Sequence, residues 1–566
     1  MKRTWTVKEK VSDYIIKQFS DLHPLTVQLL HNRGLTKTSE IKKFLDPRYE
    51  ELSSPFELTD MSKAVERILS AIKSKEKITI YADYDADAVT ACAVLYYGLQ
   101  AIGAQNVAYY IPDRFAEGYG VNKDAVEQIA ASGAKLIITV DCGINSREEI
   151  DKARELGVDV VVTDHHHIIG DLPNASAVVN PKRNPERPDL QGLTGVGVAF
   201  KLVQGLLQQC KSPKIAPQWE KWLLDLVALG TVADCQSLMG ENRILVRYGL
   251  QVLPKSRWLG LQQLMRTAGL DLSRTPDTFT LGFIIAPRIN AASRIQHGEL
   301  ALKLLITKDL EEAGQLASQL EQLNQHRQRL TEQIVSEART QIELQQENKI
   351  LLAVGDDWPK GIVGLVASRL SEEFQRPAVV LERSNGYATG SARSFGEFNL
   401  VAAFSANEHV LERFGGHAQA AGLTLDENNI HAFHRGLLEF ADNNLNDENI
   451  IRQIVVDARI EPSEITQKLV GELKHFEPFG PDNPTPSFLL SGLTVQTLRT
   501  VGNGSKHLKL LVSKAGNVVS CIGFNQGYRQ QHLRPGDMVD VVVEPSENRW
   551  NGRSEVQLKI VDIKKT

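Results

Sequence analysis

Cysteine is scarce in this chain, long apolar runs are missing, and there is no surplus of positive charge. The five cysteines (Cys92, Cys142, Cys210, Cys235, Cys521) are dispersed, odd in number and form no CxxC pair. That excludes a zinc-ribbon spacing and fits a reducing compartment. Nowhere do about 18 apolar residues follow one another, so no membrane span and no membrane partner are expected. The opening MKRTWTVKEKVSDYII carries charge throughout and lacks the apolar core of a secretion signal, so a cytoplasmic location is expected. The net charge of −5 gives no general affinity for nucleic acid. A polyanionic substrate would have to be drawn by metal ions and local basic grooves.

What remains is an ordinary soluble composition, 42% hydrophobic and 23% charged over 566 residues. That length exceeds one hydrophobic core and calls for several domains. Residues 1–60 read as a helical extension broken at LHP and DPRYEELSSP. Within 61–307, short β-branched runs (KITIYAD, VAYYIP, KLIITVD, VDVVVTD, ASAVVN) alternate with helical segments. This alternation predicts an α/β domain with a parallel sheet covered by helices on both faces. Residues 308–347 lack proline and read as one long polar helix, or two, connecting domains. A second α/β domain follows at 348–445, with strands KILLAVG and PAVVLE. Residues 452–566 turn β-rich, with five alternating runs suited to a small barrel of the OB type.

Chemistry gathers at four points: ITIYADYDADAVTA, IITVDCGIN, VVTDHHH and DLVALGTVADCQSL. They bring Asp83, Asp85 and Asp87, then Asp141, then Asp164 to His167, then Asp234, each after a β-like run. Ligands collect at the carboxyl ends of parallel strands. Converging carboxylates repel one another unless cations lie between them. A bridging Asp141 could serve two ions roughly 3.5–4 Å apart. Oxygen-rich ligation with one imidazole favours Mn²⁺ or Mg²⁺ over structural zinc. DYDADA is no calcium loop, because Ala88 and Val94 stand where that loop needs glycine and glutamate. Each aspartate taken alone reads more readily as a helix cap; the ordered set does not. The glycines of GLTGVGVAFKL are out of register with a dinucleotide fingerprint and read as a turn entering a helix.

As an ordered series, DYDAD, VDCG, TDHH and ALGTVAD resemble the motifs of the DHH phosphoesterase superfamily. LGFIIAPRINAASRI, GIVGLVASRL, GSARS and FGGHAQAAGLTL resemble its DHH-associated domain, termed DHHA1. FEPFGPDNPTPSF leading into a barrel narrows the resemblance to the superfamily's single-stranded-DNA exonucleases. The resemblance implies two divalent metal ions, Mn²⁺ or Mg²⁺. Asp85 would bind one and Asp87 the other, with Asp141 bridging and His165 and Asp234 completing the shell. His166 would face the scissile phosphate, with Asp83 as an auxiliary group and His167 as a solvent-exposed neighbour. Gly415, Gly416, His417, Ser391, Arg393, Arg288 and Arg294 would contact nucleotide phosphates. For any one arginine an interdomain ion pair is an equal alternative. Lys506, His507, Lys509, Arg549 and Trp550 are candidates for holding the strand on the barrel.

The implied activity is 5′ to 3′ hydrolysis of single-stranded DNA in repair and recombination. Single-stranded-DNA-binding protein and a RecQ-type helicase are implied partners. The sequence departs from the family pattern at Ala88, Ala286 and Ser293, where glycines are usual, and at Pro359-Lys360-Gly361, where His-Pro-Gly is common. Two rivals remain: a phosphodiesterase for short oligonucleotides or cyclic dinucleotides, and a non-catalytic DNA-binding replication scaffold. The first generally lacks the terminal barrel, and the second has no need of a full metal shell.

Overall fold

The structure is a computed structural model that describes residues 4–118, 120–210, 215–273, 275–345, 347–445, 453–550 and 553–566. Its contacts fall into two units, one of Leu52–Gln236 with Gly240–Arg452, the other of Met1–Glu51, Ser237–Met239 and Gln453–Thr566.

The first unit holds a five-stranded parallel sheet in the order Val107–Tyr110, Ile78–Ala82, Leu136–Val140, Asp159–Thr163, Ala177–Val179. Every residue of Ile78–Ala82 and Leu136–Val140 is buried, because helices cover both faces. The strand that comes first in sequence lies second in space, so the crossovers leave it in opposite directions. Between Ile78–Ala82 and Leu136–Val140 lies the topological switch point where such sheets open a crevice. The helix Ala86–Ala101 leaves the first strand buried without a break from Ala86 to Leu95. Its small residues let neighbours come close: a Cβ on Gly98 would stand 2.5 Å from Val203 of the helix Gly195–Gln209.

The same unit continues through a single helix, Leu310–Ile342. Its sequence looks too polar for a core, yet Ala313, Leu316, Ala317, Leu320, Ile334, Val335, Ala338 and Ile342 are buried. Their spacing of three and four draws one narrow apolar stripe along an otherwise charged surface. The C-terminal half of that stripe packs on the helix Lys360–Phe374 and on strands of a second sheet. That sheet is mixed, in the order Arg413–His417, Ala420–Asp426, Tyr387–Arg393, Ala378–Ser384, Leu351–Asp356. Only the pair of Leu351–Asp356 with Ala378–Ser384 is parallel.

The other unit is built on a closed barrel. Phe488–Val501, His507–Lys514, Asn517–Gly523, Arg553–Lys565 and Met538–Trp550 follow one another, and the last pairs back onto the first. Closure leaves no free edge, and Leu490, Leu493, Leu508, Leu510, Val541 and Leu558 fill the interior. Leu25, Leu29, Ile41 and Phe44, from the helices Pro24–Asn32 and Thr38–Leu45, join the same core. One stretch expected to be helical is a strand: Thr4–Val7 pairs in parallel with Gln453–Val456. Its β-branched and aromatic residues alternate, and the Trp5 indole N–H donates to Asp562 at 3.0 Å.

Candidate metal centre

Three neighbouring strands deliver the acidic and imidazole groups to the switch point. Asp83 follows Ile78–Ala82, Asp141 follows Leu136–Val140, and Asp164, His165 and His166 follow Asp159–Thr163. Asp234 arrives differently. The run before it, expected to be β-like, is the helix Leu224–Ala233, and Asp234 is its C-cap. Leu, Ala and Gly dominate that run, so it packs helix against helix on Ala86–Ala101. A Cβ on Gly230 would lie 2.2 Å from the Thr90 hydroxyl and 2.8 Å from an Asp87 carboxylate oxygen. Asp141 itself sits in the left-handed region at φ 61°, a conformation that costs a non-glycine residue energy and that clusters at functional sites.

The groups converge on His165. Its Nε2 stands 3.0 Å from Asp141 Oδ1, 3.7 Å from Asp234 Oδ2 and 4.0 Å from Asp87 Oδ2. Yet His165 Nε2, Asp141 Oδ1, Asp234 Oδ2 and Asp83 Oδ1 are all buried without a hydrogen-bond partner. Buried polar atoms are ordinarily satisfied, and the orphaned atoms of Asp141, His165 and Asp234 belong to residues grouped closely enough to hold a cation. Burial and the neighbouring charge of Asp85 push Asp83 well above the usual carboxylate range. Burial and Asp234 do the same to Asp87, and burial and Asp87 to Asp141. Asp234 rises to about 7, by burial and then by Asp85. Burial lowers His165 to about 3, which keeps its imidazole neutral and ready to ligate. Two overlapping donor sets result, Asp141 with His165 and His166, and Asp87 with His165 and Asp234, each within 4.8 Å. Together they offer three carboxylates and two imidazoles, a mixed oxygen and nitrogen set that fits a divalent cation such as Mn²⁺.

Asp85 is half-buried and caps the helix Ala86–Ala101, accepting from the Ala88 N–H at 3.0 Å. The helix-cap reading holds for this residue, and Asp85 is not in either of the two close donor sets. Ala88 lies in the helix with no positive φ, so the usual glycine is not required by its backbone.

Asn180 and Asn290 were not singled out from the sequence, and Asp164 was named there without a role. Asp164 accepts from the backbone N–H of Ile144, His165 and His166, and its Oδ1 lies 2.7 Å from His166 Nδ1. Burial alone would raise Asp164, but the bond and charge of His166 outweigh it and hold the carboxyl below its ordinary value. In return, and against the effect of burial, His166 is raised to about 9. Asn180 fixes the His166 backbone through a 3.0 Å bond to its carbonyl. The Asp87 carboxylate accepts from the Gly195 and Val196 N–H groups at 2.7 and 2.9 Å, the open amides of a helix N-terminus. The turn in GLTGVGVAFKL does enter a helix, capped by Thr194, and its use is to hold Asp87. Asn290 accepts from the Ala86 N–H at 2.9 Å, pinning the loop between Asp83 and Asp87.

A second cluster, of cations, occupies the same unit. Arg294 is pushed down to about 10 by burial, then by Arg114, Arg327 and Arg393. Arg393 is lowered by burial and by Arg114. The Arg114 guanidinium lies 4.9 Å from the centre of the Tyr84 ring. Arg393 donates to the Ser391 hydroxyl at 2.7 Å and to the Ala392 carbonyl at 2.8 Å, and Arg294 donates to the Gly361 carbonyl at 3.1 Å. Among the described residues none of these three arginines is paired with a carboxylate. Arg288 is placed otherwise, donating to Glu321 and to the Ile284 carbonyl, each at 2.5 Å. Gly415, Gly416 and His417 form an exposed strand of a hairpin, and the His417 ring lies 6.4 Å from that of His167, itself exposed. At Gly416, φ 136° and an Ala420 carbonyl 2.4 Å from any added Cβ demand glycine. On the barrel, His507 packs edge-on against Phe524 at 5.3 Å, and Lys509 pairs across to Arg499 and Ile522. The side chains of Arg549 and Trp550 lie outside the described residues.

A parallel sheet with acids at its switch point, a DHH segment closing it and a second domain that sets Arg393 beside Arg114 and Arg294 define a DHH-type phosphoesterase. Family models agree: that for the DHH family N-terminal domain matches residues 77–231, that for the DHHA1 domain 347–443, and that for the RecJ OB domain 456–562. The chain belongs to the RecJ family. It is 38% identical to the single-stranded-DNA-specific exonuclease RecJ of Bacillus subtilis, over 99% of this chain and 71% of that protein. With the RecJ of Escherichia coli it shares 32% identity, over 99% of this chain and 96% of that one. The crystal structure of Thermus thermophilus RecJ in complex with Mn²⁺ superposes with a TM-score of 0.85 at 32% identity, covering 100% of this chain and 80% of that chain. No helix among the described residues is long and apolar enough to cross a membrane.

Proposed function

We propose that the chain is a metal-dependent exonuclease that hydrolyses single-stranded DNA in the 5′ to 3′ direction, serving DNA repair and recombination. The observation that carries this reading is the set of orphaned donor atoms on Asp141, His165 and Asp234 beside a carboxylate-free arginine cluster. Asp85, Asp87, Asp141, His165 and Asp234 would hold two divalent cations, Mn²⁺ or Mg²⁺, with Asp141 shared between them. When bound, such ions neutralise phosphoryl charge and acidify a water. The chain's own groups do the rest. Asp164 binds His166 Nδ1 and keeps the ring cationic, which would let it face the scissile phosphate as a charged group. Burial and the neighbouring charge of Asp85 hold the Asp83 carboxyl well above its usual range, as an auxiliary group at the edge of the site.

Arg114, Arg294, Arg393 and Ser391 offer a terminal phosphate charge-assisted donors and no competing carboxylate. Gly415, Gly416 and His417 lie exposed for the following nucleotide. A grip on a terminal phosphate next to the cleavage centre supports attack from the 5′ end. The barrel supports a long strand over a dinucleotide as substrate, through His507, Lys506 and Lys509. Single-stranded-DNA-binding protein and a RecQ-type helicase fit this role as partners, and the free cysteines suit a cytoplasmic location. Strands labelled at the 5′ or the 3′ end, incubated with Mn²⁺, Mg²⁺ or a chelator, test the reading. Early release of 5′-labelled mononucleotide, abolished by chelation, is expected. Release from the 3′ end first, or digestion that survives chelation, would refute it.

A further inference from the structure

Phe279 and Phe283 are 58% and 71% exposed, yet their rings stack on one another, 4.9 Å apart and inclined by 17°. Water-exposed apolar rings placed in parallel are a standing platform with open aromatic surface. Phe283 lies in a π-helical segment, Thr280–Ile285, that runs directly into the helix Ala286–Ile295. Such segments recur at functional sites. Two contacts tie this one to the metal centre. Asn290, about 10 Å further along the helix, holds the Ala86 N–H of the metal loop. Gly282, next to Phe283, lets Val232 approach to 3.3 Å from where its Cβ would stand, two residues before Asp234. Along the chain, residues 278 to 298 carry no carboxylate side chain, although the protein is acidic overall, and the bordering Asp277 is engaged by the Thr280 N–H and hydroxyl.

We propose that Phe279 and Phe283 form a stacking platform for nucleobases of the strand entering the metal centre. The proposal rests on the single-stranded-DNA reading above. A flat, sequence-indifferent aromatic surface on a helix that leads to the metal loop suits a substrate whose sequence is not read.

The test compares wild type with the double variant Phe279→Ala, Phe283→Ala, whose rings project into solvent. Binding of a 5′-phosphorylated thirty-nucleotide strand is measured with Ca²⁺ in place of the active metal. A matching strand carries abasic residues at its second to fifth positions. For the double variant, affinity for the intact strand falls by roughly ten- to a hundredfold, the scale of lost base stacking. The abasic strand costs wild type a similar factor and the variant little more, and Phe→Trp at both positions restores binding. The ratio of long-strand to dinucleotide kcat/KM falls in step. Equal affinity of variant and wild type for the intact strand would overturn the platform and leave the rings to a protein surface. Equal sensitivity of both proteins to the abasic strand would overturn it too. If wild type digests single strands normally while either result appears, the inference alone fails; if wild type neither binds nor digests them, the functional reading has failed first and takes the platform with it.

Discussion

The acidic centre and the arginine cluster are mirror images in charge and alike in construction. Each buries groups of one sign together, and each orients them with neutral partners that leave the charge uncompensated. Backbone amides of Gly195 and Val196 hold Asp87, while carbonyls of Gly361 and Ala392 hold Arg294 and Arg393. Burial and like-charge neighbours push the carboxylates up and the guanidinium groups down, toward neutrality in both cases. Neither arrangement favours stability of the empty protein. Both make sense as halves of a site completed from outside, by cations on one side and by a phosphate on the other. The difference lies in depth: Asp83, Asp87 and Asp141 are at most 3% exposed, whereas Arg294 and Arg393 are only partly buried.

The largest expected effect therefore falls on the acids. Asp141→Ala removes the oxygen nearest His165 Nε2. Turnover should fall at least about 10³-fold, the scale of losing one member of a concerted catalytic unit, and calorimetry should show weakened Mn²⁺ binding. Retained strand binding alongside lost turnover fits an enzyme; unchanged turnover would remove the centre from the mechanism. On the basic side, Arg393→Ala should cost less. The loss of one charge-assisted donor is about 1.5–3 kcal/mol, roughly ten- to 150-fold in affinity for a 5′-phosphorylated strand. A strand with a 5′-hydroxyl should lose little, and equal losses on both strands would break the comparison.

Titration sharpens it further. Asp83, Asp87, Asp141 and Asp234 have raised folded-state pKa values, so the stability they contribute is complete below the ordinary aspartate value of 3.8 and is lost as pH rises, through about 7 for Asp234. His165, lowered to about 3, acts in the opposite sense over the same window, one imidazole against four carboxylates. The Tm of chelated protein should thus fall between about pH 4 and pH 7, and Mn²⁺ should flatten that slope by replacing protons. Identical slopes with and without metal would show that no cation enters among these groups.

These two clusters differ as much in how they read from sequence as in charge. Asp83, Asp85, Asp87, Asp141 and the histidines stand at the ends of apolar β-branched runs, where strand periodicity marks them. Asp234 was legible as an acid after an apolar run, but the run is a helix, because Leu, Ala and Gly serve helix packing as well as strand burial. What holds the acids in place was not legible. The Gly195 and Val196 amides meet Asp87 across more than a hundred residues of chain, and a backbone donor leaves no residue type to notice. Arg114 escaped for a related reason: in YIPDRFAEG it looks like one loop arginine among acids, and only the fold sets it beside Arg294 and Arg393. The strand Thr4–Val7 was hidden because its partner, Gln453–Val456, lies near the other end of the chain.

Arg288 is the smallest and most discriminating test, because sequence places it with Arg294 while structure gives it a carboxylate. Both lie on the helix Ala286–Ile295, yet Arg288 and Glu321 expose only 14% and 18% of their side chains and bind each other, whereas among the described residues Arg294 is paired with no carboxylate. A guanidinium already neutralised has little left to offer a phosphate. Arg288→Met should therefore change kcat/KM on phosphorylated strands less than about twofold while lowering stability by about 1–3 kcal/mol, since it strands a half-buried carboxylate. Adding Glu321→Gln should recover part of that stability, as expected when the penalty comes from the unpaired acid and not from lost packing. A tenfold rise in Kd for the strand would show instead that the ion pair opens to receive substrate. Arg288 would then join the cluster, and the rule that the site's cations are those without acids would fail.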